Sequence, residues 1–482
     1  MKINPVNRTF RAGFKTCILL FIFAFNFKSY AEIYLPSIIS DNMVLQQNSE
    51  ATIWGWTTVV SENITVIGSW NNEEVMVEAH QGKWSLNLPT EVAGGPYTLT
   101  IKGHETITIY NVLLGEVWLC SGQSNMQWTP NMGLQNAEEE IKNANHEQIR
   151  FFTIPTVKAE SAQDNSYGNW DTCTPETMQN FSSVAYFFGR ELKTELNVPV
   201  GLINSSWGGT NVETWIPKEI LKTQKKEISE AYNNIGEFAW WPRNPGLTYN
   251  SMIHPITNYD IAGAIWYQGE SNRDNAFSYF ETFPLMIETW RAKWNKDFPF
   301  YFVQIAPFNY NSHNNLATAV VQEAQLFTMQ TVPKTGMVVT NDIGNLKNIH
   351  PLKKQEVGQR LALWALAKTY GVKDVTVSGP VYKSMQIEKN KIRLSFDFAE
   401  NGLIQKGAEL TEFLIAGADQ KFHKATATIK GNKIEVFSKK VKKPVAVRFA
   451  YSAIALPNLF NKEGLPASGF RTDIWPINFK TE

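Results

Sequence analysis

The stretch Leu113-Leu-Gly-Glu-Val-Trp-Leu-Cys120 is an apolar run of strand length, and it leads directly into the polar turn Ser121-Gly-Gln-Ser124-Asn125. Further runs of this kind follow along the chain at Val198–Ile203, Ala262–Tyr267, Phe300–Ile305 and Gly336–Val339. Apolar residues at helical spacing separate these runs and predict helices at Ser183–Leu196, around Tyr279–Trp294, at Ala317–Val332 and at Lys353–Lys368. This alternation predicts an α/β fold with a doubly wound parallel sheet, in which ligands bind at the carboxyl ends of the strands.

Both flanks of this region have the pattern of β structure. Residues 32–110 contain short segments of alternating polarity, separated by asparagine and glycine pairs, which is typical of a small sandwich. Short strand-like segments return from about residue 375. We therefore predict an N-terminal β-sandwich domain over residues 32–110, an α/β domain over residues 111–374, and a C-terminal β-rich, sandwich-like domain over residues 375–482.

The first residues have the pattern of an export signal. Basic residues between positions 2 and 15 precede the apolar stretch Thr16–Phe27, which is too short to span a bilayer. Ser29 and Ala31 are small residues at the two positions that a signal peptidase reads. The pattern predicts a signal peptide over residues 1–31, with a membrane anchor as the alternative. We expect a periplasmic or secreted protein whose mature form has no membrane span.

The overall charge excludes several classes of partner. Lys+Arg and Asp+Glu both total 45 in the 482 residues, so the formal net charge is zero. No long-range field then favours nucleic acid or an anionic membrane surface. The sequence contains no zinc, calcium or phosphate-loop motif, and we expect no metal and no cofactor. The sequence does not indicate an oligomeric state.

Removal of the signal peptide would leave two cysteines, Cys120 and Cys173. An exported chain enters an oxidising compartment, which permits a disulfide between them. Two buried free thiols are the alternative, and the sequence does not choose between the two.

Two residues have the setting of a nucleophile and its base. Ser124 follows a strand and a glycine, so its hydroxyl can project into the crevice above the sheet. His350 precedes a predicted helix on a loop that can face the same crevice. His254 has a comparable setting, and each histidine taken singly is more often structural than catalytic.

Two further turns follow strand-like runs and offer hydrogen-bond donors. They are Ser206-Trp-Gly208-Gly209-Thr210 and Trp266-Tyr-Gln268-Gly-Glu270-Ser-Asn272. Glycine lets a backbone N–H approach a reacting oxygen closely, and a glutamine amide adds a second kind of donor. Tetrahedral intermediates of acyl transfer need such donors. Two tight structural turns are the alternative interpretation.

Taken together, four blocks resemble the sialate O-acetylesterase family of SGNH-type hydrolases. They are GQSNM (122–126), SSWGGT (205–210), WYQGESN (266–272) and IHP-x-x-K-x-x-VG-x-RLA (349–362), and the resemblance covers roughly residues 32–480. It implies a flavodoxin-like α/β core, a serine mechanism without a metal, and acetyl esters on sugars as substrates. The substrate that gives the family its name is 9-O-acetylated sialic acid.

The resemblance also implies roles for individual residues. Ser124 matches the nucleophile and its N–H an oxyanion donor, and His350 matches the base. Gly208 or Gly209 matches a second backbone donor. Gln268 matches a side-chain donor better than Asn272 does.

The third catalytic group is left open by a departure from the family pattern. The wider hydrolase group has an aspartate three residues before the histidine, where this chain has Lys347. Either Asp342 or Asn348 orients His350, or a backbone carbonyl does so and leaves a dyad.

We expect the substrate to contact residues close to these blocks. The predicted binding residues are Trp128, Trp207, Tyr267, Glu270 and Arg273, and further candidates for the crevice rim are Trp215, Trp240, Trp241 and Arg243. Aromatic faces suit sugar rings, but they also fill cores. Acetylxylan and other acetylated polysaccharides are alternative substrates. A glycan-binding surface protein without activity is the alternative of a different class.

Overall fold

The computed structural model describes residues 32–311 and 315–479. The predicted signal peptide, residues 1–31, lies outside the described residues. Within the described residues, no helix has the length and apolar character needed to cross a membrane.

The first part of the described chain forms one three-stranded β-sheet and contributes further strands to the large sheet that contains β8. Its strands are β1 Ile33–Tyr34, β2 Val44–Gln46, β3 Glu50–Thr57, β4 Asn63–Gly68, β5 Glu74–Glu78, β6 Lys83–Pro89 and β7 Gly94–Lys102. β3 lies between β1 and β6, and β4 lies between β5 and β7, all in antiparallel pairs. In β6 the alternate residues Trp84, Leu86 and Leu88 are buried, which is the period-two pattern of a half-buried strand. The predicted β structure is therefore present here.

β8 (Thr106–Gly122) is a 17-residue strand that belongs to two parts of the molecule. Its first half pairs antiparallel with β7, and β2 runs parallel to it from Leu113 to Gly115. From Glu116 onwards it pairs with parallel strands of the α/β core. The boundary predicted between residues 110 and 111 thus lies within one continuous strand.

The central sheet is built around the second half of β8. The other strands of this sheet are β9 His146–Thr153, β10 Trp170–Cys173, β11 Val200–Ser206, β12 Gly263–Tyr267, β13 Phe300–Val303 and β14 Thr335–Val338. Their order is β10-β9-β11-β8-β12-β13-β14, and every neighbouring pair is parallel except β10 with β9. When β9 and β10 are left out of the count, the strands β11-β8-β12-β13-β14 have the order 2-1-3-4-5 along the chain.

Helices cover both faces of this sheet, which explains why its strands β11, β12 and β13 are buried throughout. The α-helices are α1 Ser124–Gln127, α2 Ala137–Lys142, α3 Pro175–Met178, α4 Ser183–Leu196, α5 Lys218–Leu221, α6 Lys226–Ser229, α7 Tyr279–Trp294, α8 Asn315–Thr331 and α9 Lys354–Trp364. Trp118 and Cys120 of β8 lie in the cluster formed with α4 and α9, whereas Leu119 lies in the cluster formed with α7 and α8. The bounds of α4 and α7 are those predicted, and α8 and α9 each begin within two residues of the predicted start.

The last part of the described chain is a separate β-rich unit. Its strands are β15 Val381–Glu388, β16 Lys391–Asp397, β17 Leu403–Gln405, β18 Phe413–Ala416, β19 His423–Lys424, β20 Thr426–Lys430, β21 Lys433–Phe437, β22 Ala446–Phe449, β23 Leu459–Asn461 and β24 Phe470–Arg471. They form the sheets β15-β16-β21-β20, β19-β18-β22-β24 and β17-β23 around their own apolar cluster. An ion pair of 2.9 Å between Arg471 and Glu323 on α8 fastens this unit to the core.

Candidate active site

Ser124 lies at the carboxyl end of β8, where the strand turns into α1. The turn passes between the ends of β11 and β12, because Gly122 pairs with Ser206 on one side and Tyr267 on the other. Gly122 has φ +137°, and a Cβ at this position would collide with the carbonyl of Tyr267. Only glycine fits so close a passage. The turn thereby exposes Ser124 at the mouth of the sheet.

His350 contacts the Ser124 hydroxyl. Its Nε2 lies 2.9 Å from the Oγ of Ser124, although 226 positions separate the two residues. His350 reaches this position from the loop between β14 and α9. A neutral imidazole at this distance can accept the hydroxyl proton when the oxygen attacks a carbonyl.

The imidazole is held by an aromatic side chain, and not by either of the side chains that we predicted. The indole of Trp128 stacks on His350 with ring centroids 4.2 Å apart and an interplanar angle of 17°. The Nε1 of Trp128 donates to the carbonyl of Gly133 at 2.6 Å, which fixes the indole in turn. Within residues 32–311 and 315–479, the Nδ1 of His350 has no hydrogen-bond partner.

Both candidate orienting side chains are engaged elsewhere, and of the alternatives left open the dyad is the one that these contacts fit. Asp342 accepts two hydrogen bonds from Arg360, at 2.8 and 2.7 Å, in a bidentate ion pair. The Oδ1 of Asn348 accepts from the backbone N–H of His350 at 2.9 Å, so it shapes the loop and does not contact the ring. The pattern Asn348-Ile-His350 forms a local turn of the kind that asparagine favours.

The surroundings of His350 favour its neutral form. Partial burial and the nearby ammonium of Lys354 lower the pKa of His350 to about 4. Burial opposes the charged form, and a like charge opposes it further. At neutral pH the ring is therefore ready to take a proton from Ser124.

A buried polar cluster joins the Ser124 turn to the His350 loop. The Nδ2 of Asn125 donates to Glu270 Oε1 at 2.8 Å and to the carbonyl of Ile349 at 3.0 Å. The Nζ of Lys354 donates to the Oδ1 of Asn125 at 2.5 Å. Glu270 was predicted to bind substrate; its side chain is 8% exposed and bonded within this cluster, and the residue also lines the crevice beside Gly209.

Candidate backbone donors are the N–H of Ser124 and those of the turn after β11, whose Gly208 lies against Ser124. The N–H of Ser124 is in the first turn of α1, where no intrahelical acceptor exists, and it has no acceptor elsewhere in the described residues. The N–H of Gly208 donates to Gln127 Oε1 at 2.8 Å. The N–H of Gly209 has no acceptor among the residues that the structure covers. Of the two glycines, Gly209 is thus the one with an uncommitted N–H.

Gln268 and Asn272 do not have free amide groups, which corrects our prediction of a side-chain oxyanion donor. The buried Nε2 of Gln268 donates to Thr210 O at 3.1 Å and to Asn272 Oδ1 at 2.7 Å. The Nδ2 of Asn272 donates to Glu213 at 2.9 Å and to Asn275 at 3.1 Å. In each residue both amide hydrogens are therefore already donated to an acceptor. These hydrogen bonds therefore stabilise the turns that follow β11 and β12.

The predicted rim residues divide between core and surface. Tyr267 and Trp215 are buried in the core, so neither reaches a ligand. Trp207 is partly buried against the core. Trp240 and Trp241 are 65% and 36% exposed.

A crevice of about 170 Å³ opens beside Gly209. Its lining includes Phe238, Trp241, Arg243 and Arg273. The rings of Phe238 and Trp241 lie 4.8 Å apart, and a Cβ on Gly209 would collide with Trp241. Trp241 therefore lies directly against the turn that carries the open N–H.

The two arginines of this crevice are already supported by other groups. The guanidinium of Arg273 stacks on Tyr310 at 3.4 Å from the ring centroid and donates to Thr318 at 2.8 Å. Arg243 pairs with Glu237 and donates to the carbonyl of Ile235 at 2.7 Å. These contacts hold two cations at the crevice wall.

The structure describes the state of both remaining cysteines. Cys120 and Cys173 are both buried free thiols, so the disulfide alternative does not apply. Across residues 32–311 and 315–479, no group of three or more His, Cys, Asp or Glu side chains is arranged to hold a metal ion.

Sequence reasoning missed three residues that touch the proposed machinery. Asn125 and Lys354 stand inside the quoted blocks, but nothing in their spacing shows that they meet. Gln127 follows Ser124 by one helical turn, and its contact with Gly208 depends on the approach of β11. The available signal was that both residues are specified positions of the blocks, Asn125 in GQSNM and Lys354 in IHP-x-x-K.

Comparison with known proteins gives a consistent result. Residues 114–367 match the family model described as carbohydrate esterase, sialic acid-specific acetylesterase. The human sialate O-acetylesterase is 32% identical over 410 residues, covering 77% of this chain and 77% of that protein. The mouse sialate O-acetylesterase is 30% identical over 441 residues, covering 79% and 78%. The crystal structure of a carbohydrate acetylesterase from Xanthomonas citri matches with a TM-score of 0.84 and 36% identity, covering 92% of this chain and 100% of that one.

Proposed function

This chain belongs to the sialic acid-specific acetylesterase family of carbohydrate esterases, and from that premise we propose that it removes 9-O-acetyl groups from sialic acid with Ser124 as nucleophile and His350 as base. Membership makes the chain a carboxylic ester hydrolase that acts on acetylated carbohydrate. The predicted resemblance and the predicted class of enzyme are thereby confirmed. The individual ester and the catalytic residues are the content of the proposal.

The observation that carries the mechanism is the 2.9 Å contact between His350 Nε2 and Ser124 Oγ. In the proposed reaction, His350 takes the Ser124 proton as the oxygen attacks the acetyl carbonyl. The imidazolium then protonates the departing sugar hydroxyl. Water, activated by the same imidazole, finally hydrolyses the acetyl-enzyme. Because no carboxylate contacts the ring within the described residues, we propose a Ser-His dyad.

The negative oxygen of the tetrahedral intermediate requires donors beside Ser124. We assign this role to the N–H groups of Ser124 and Gly209. Both lack an acceptor among the described residues, whereas the Gly208 N–H is bonded to Gln127. Gln268 and Asn272 support the backbone that carries these donors.

The assignment of the α/β core to the SGNH type is part of the same proposal. The strand order 2-1-3-4-5 and the location of Ser124 after the first of these strands support it, since this order binds ligands at the carboxyl ends of its strands. We propose residues 111–374 as the catalytic domain, flanked by β domains over residues 32–110 and 375–482.

The crevice beside Gly209 is the proposed sugar-binding site. Trp241 and Phe238 present aromatic faces of the kind that pack against sugar rings. The guanidinium groups of Arg243 and Arg273 line the same crevice, beside Glu270 and Asp274. A guanidinium can bind the carboxylate of sialic acid in a bidentate pair, whereas neutral xylan has no carboxylate to bind. This pairing is the reason for preferring sialate. Export through a signal peptide at residues 1–31 remains a prediction.

The proposal is tested by acetate release from a 9-O-acetylated sialoglycan and from acetylxylan. The enzyme should release acetate from the sialoglycan, and Ser124→Ala should abolish the release. Ser384→Ala, an exposed serine on β15, serves as the matched control and should keep full activity. Acetate release from acetylxylan but not from the sialoglycan would refute the proposal that sialate is the substrate. Undiminished release by Ser124→Ala would refute the mechanism, and no release from any acetyl ester would favour a binding protein.

A further inference from the structure

Over residues 32–311 and 315–479, the base of the proposed dyad has no contact with a carboxylate of the kind that orients the histidine in a Ser-His-Asp triad. We propose that Asn125 is the positioning residue that takes over this task, by locking the His350 loop to the Ser124 turn, and that the buried ammonium of Lys354 holds Asn125 and keeps the imidazole neutral. The inference rests on the proposed roles of Ser124 and His350. Neither Asn125 nor Lys354 contacts the reacting atoms, so both act as positioning residues.

The geometry of Asn125 is that of a clamp. Its side chain is 0% exposed, and its amide bonds to three separate segments. It donates to the carbonyl of Ile349, the residue before the base, and to Glu270 after β12. It accepts from Lys354 on α9. Because Asn125 directly follows Ser124, one rigid amide sets the distance between nucleophile and base.

Lys354 is an unusual group to find at this point. It is 1% exposed and lies four residues after His350, on the first turn of α9. Burying an ammonium is unfavourable unless the charge is used or compensated. The charge of Lys354 is compensated by its hydrogen bond to Asn125 and by the carboxylate of Glu270. It is also compensated by the ring of Tyr267, whose centroid lies 5.4 Å from the Nζ. An apolar side chain would fill the space without this cost.

One neighbouring charge, the ammonium of Lys354, lowers the pKa of His350. Lys354 on α9 bonds to Asn125, which bonds in turn to the carbonyl of Ile349 next to His350 and to Glu270 in the turn after β12. Tyr310, in the loop after β13, is uncharged at neutral pH because burial raises its pKa. Burial lowers the pKa of Lys354 to about 7, against the opposing effect of Glu270. Below that pH the ammonium is charged and repels a proton from His350, so the base stays neutral well into the acidic range.

An asparagine suits the clamp better than an aspartate does. The Ile349 carbonyl and the Glu270 carboxylate both require donors, and Asn125 supplies two N–H groups. An aspartate would set its oxygens against both acceptors and keep only the bond from Lys354. Asn125→Asp should therefore disrupt the clamp, although the two side chains have nearly the same shape.

The test measures kcat/KM against pH with 4-nitrophenyl acetate, since its acid limb reports the base of the free enzyme. Lys354→Met should move the acid limb upward by roughly one pH unit, because a like charge no longer opposes protonation. Lys354→Arg keeps the positive charge and should leave the pH of the acid limb unchanged. Lys354→Gln removes the charge while it can still donate to Asn125, and it replaces Lys354→Met if that variant does not fold. Lys353→Met, an exposed neighbour, is the matched control and should match the unmodified enzyme.

The clamp itself is tested by Asn125→Asp and Asn125→Ala. Both should lower kcat about tenfold or more with little change in KM, because the reacting groups lose their alignment. Asn131→Ala, an exposed asparagine, is the control. An unmoved acid limb in both Lys354→Met and Lys354→Gln, or an unchanged kcat in both Asn125 variants, overturns the inference. Full activity of Ser124→Ala would instead overturn the underlying mechanism, so the two failures are distinguishable.

Discussion

The indole of Trp128 lies parallel to the imidazole of His350, with centroids 4.2 Å apart, and covers one face of the ring. The other fixed contact of the ring is its Nε2 with the Ser124 hydroxyl. An aromatic plane and a single hydrogen bond thus hold the proposed base, and no carboxylate among the described residues contacts its ring.

Removing the aromatic plane should loosen the base. We expect Trp128→Ala to lower kcat by roughly ten- to a hundredfold, because small misplacements of a catalytic group are costly. Trp128→Phe retains a stacking face and should recover most of the loss. Steady-state kinetics with 4-nitrophenyl acetate measures both, and equal losses in the two variants would show that stacking is not what matters.

Asp342 should be dispensable for the chemistry. It is paired with Arg360 and not with His350, so Asp342→Asn should change kcat by less than about tenfold, whereas loss of a triad aspartate costs about 10⁴. The comparison is the kcat of Asp342→Asn against that of Ser124→Ala. A decrease in kcat as deep as that of the serine variant would restore Asp342 as a third catalytic member.

Activity should persist at low pH. The pKa of His350 is lowered to about 4, so the ring stays neutral down to that range and becomes protonated only below it. We expect kcat/KM to be level from about pH 8 to about pH 5 and to fall towards pH 4. Circular dichroism at each pH distinguishes this limb from unfolding. A limb near 6.5, the ordinary pKa of histidine, would contradict the description of the site.

Trp241 should matter for sugars and not for simple esters. Its ring lies against Gly209 in the crevice, and aromatic contacts of this kind contribute about 0.5–1.5 kcal/mol. Trp241→Ala should therefore raise KM for an acetylated sialoglycan by up to about tenfold. KM for 4-nitrophenyl acetate is the internal control and should stay nearly constant. An equal rise for both substrates would place the effect in the oxyanion turn.

Glu213 should be important for stability. Its carboxylate is buried and accepts amide hydrogens from Asn211, Asn272 and Asn275 at 2.7, 2.9 and 2.6 Å. Glu213→Ala leaves three buried donors without an acceptor, which should cost about 3 kcal/mol and lower the thermal midpoint. Glu219→Ala, an exposed glutamate on α5, should leave that midpoint unchanged. An equal midpoint in the two variants would contradict this account.

Much of the architecture follows from local patterns along the chain. Hydrophobic periodicity predicted α4 and α7 with the bounds observed, and an apolar run predicted the buried half of β8. Such patterns are local because the spacing of apolar residues reflects which faces of an element are buried. The ordered blocks likewise identified the family, and with it Ser124 and His350 as the pair to examine.

The hydrogen-bond partners of polar side chains could not be derived in this way. Gln268 has the residue type of an oxyanion donor, yet Thr210 and Asn272 occupy both of its amide hydrogens. Asp342 has the residue type of a third catalytic member, yet Arg360 binds it. Asn125 and Lys354 meet across 229 positions. A buried polar group bonds to whatever the packing of distant segments brings within about 3 Å, and that proximity exists only once the sheet and its helices have assembled.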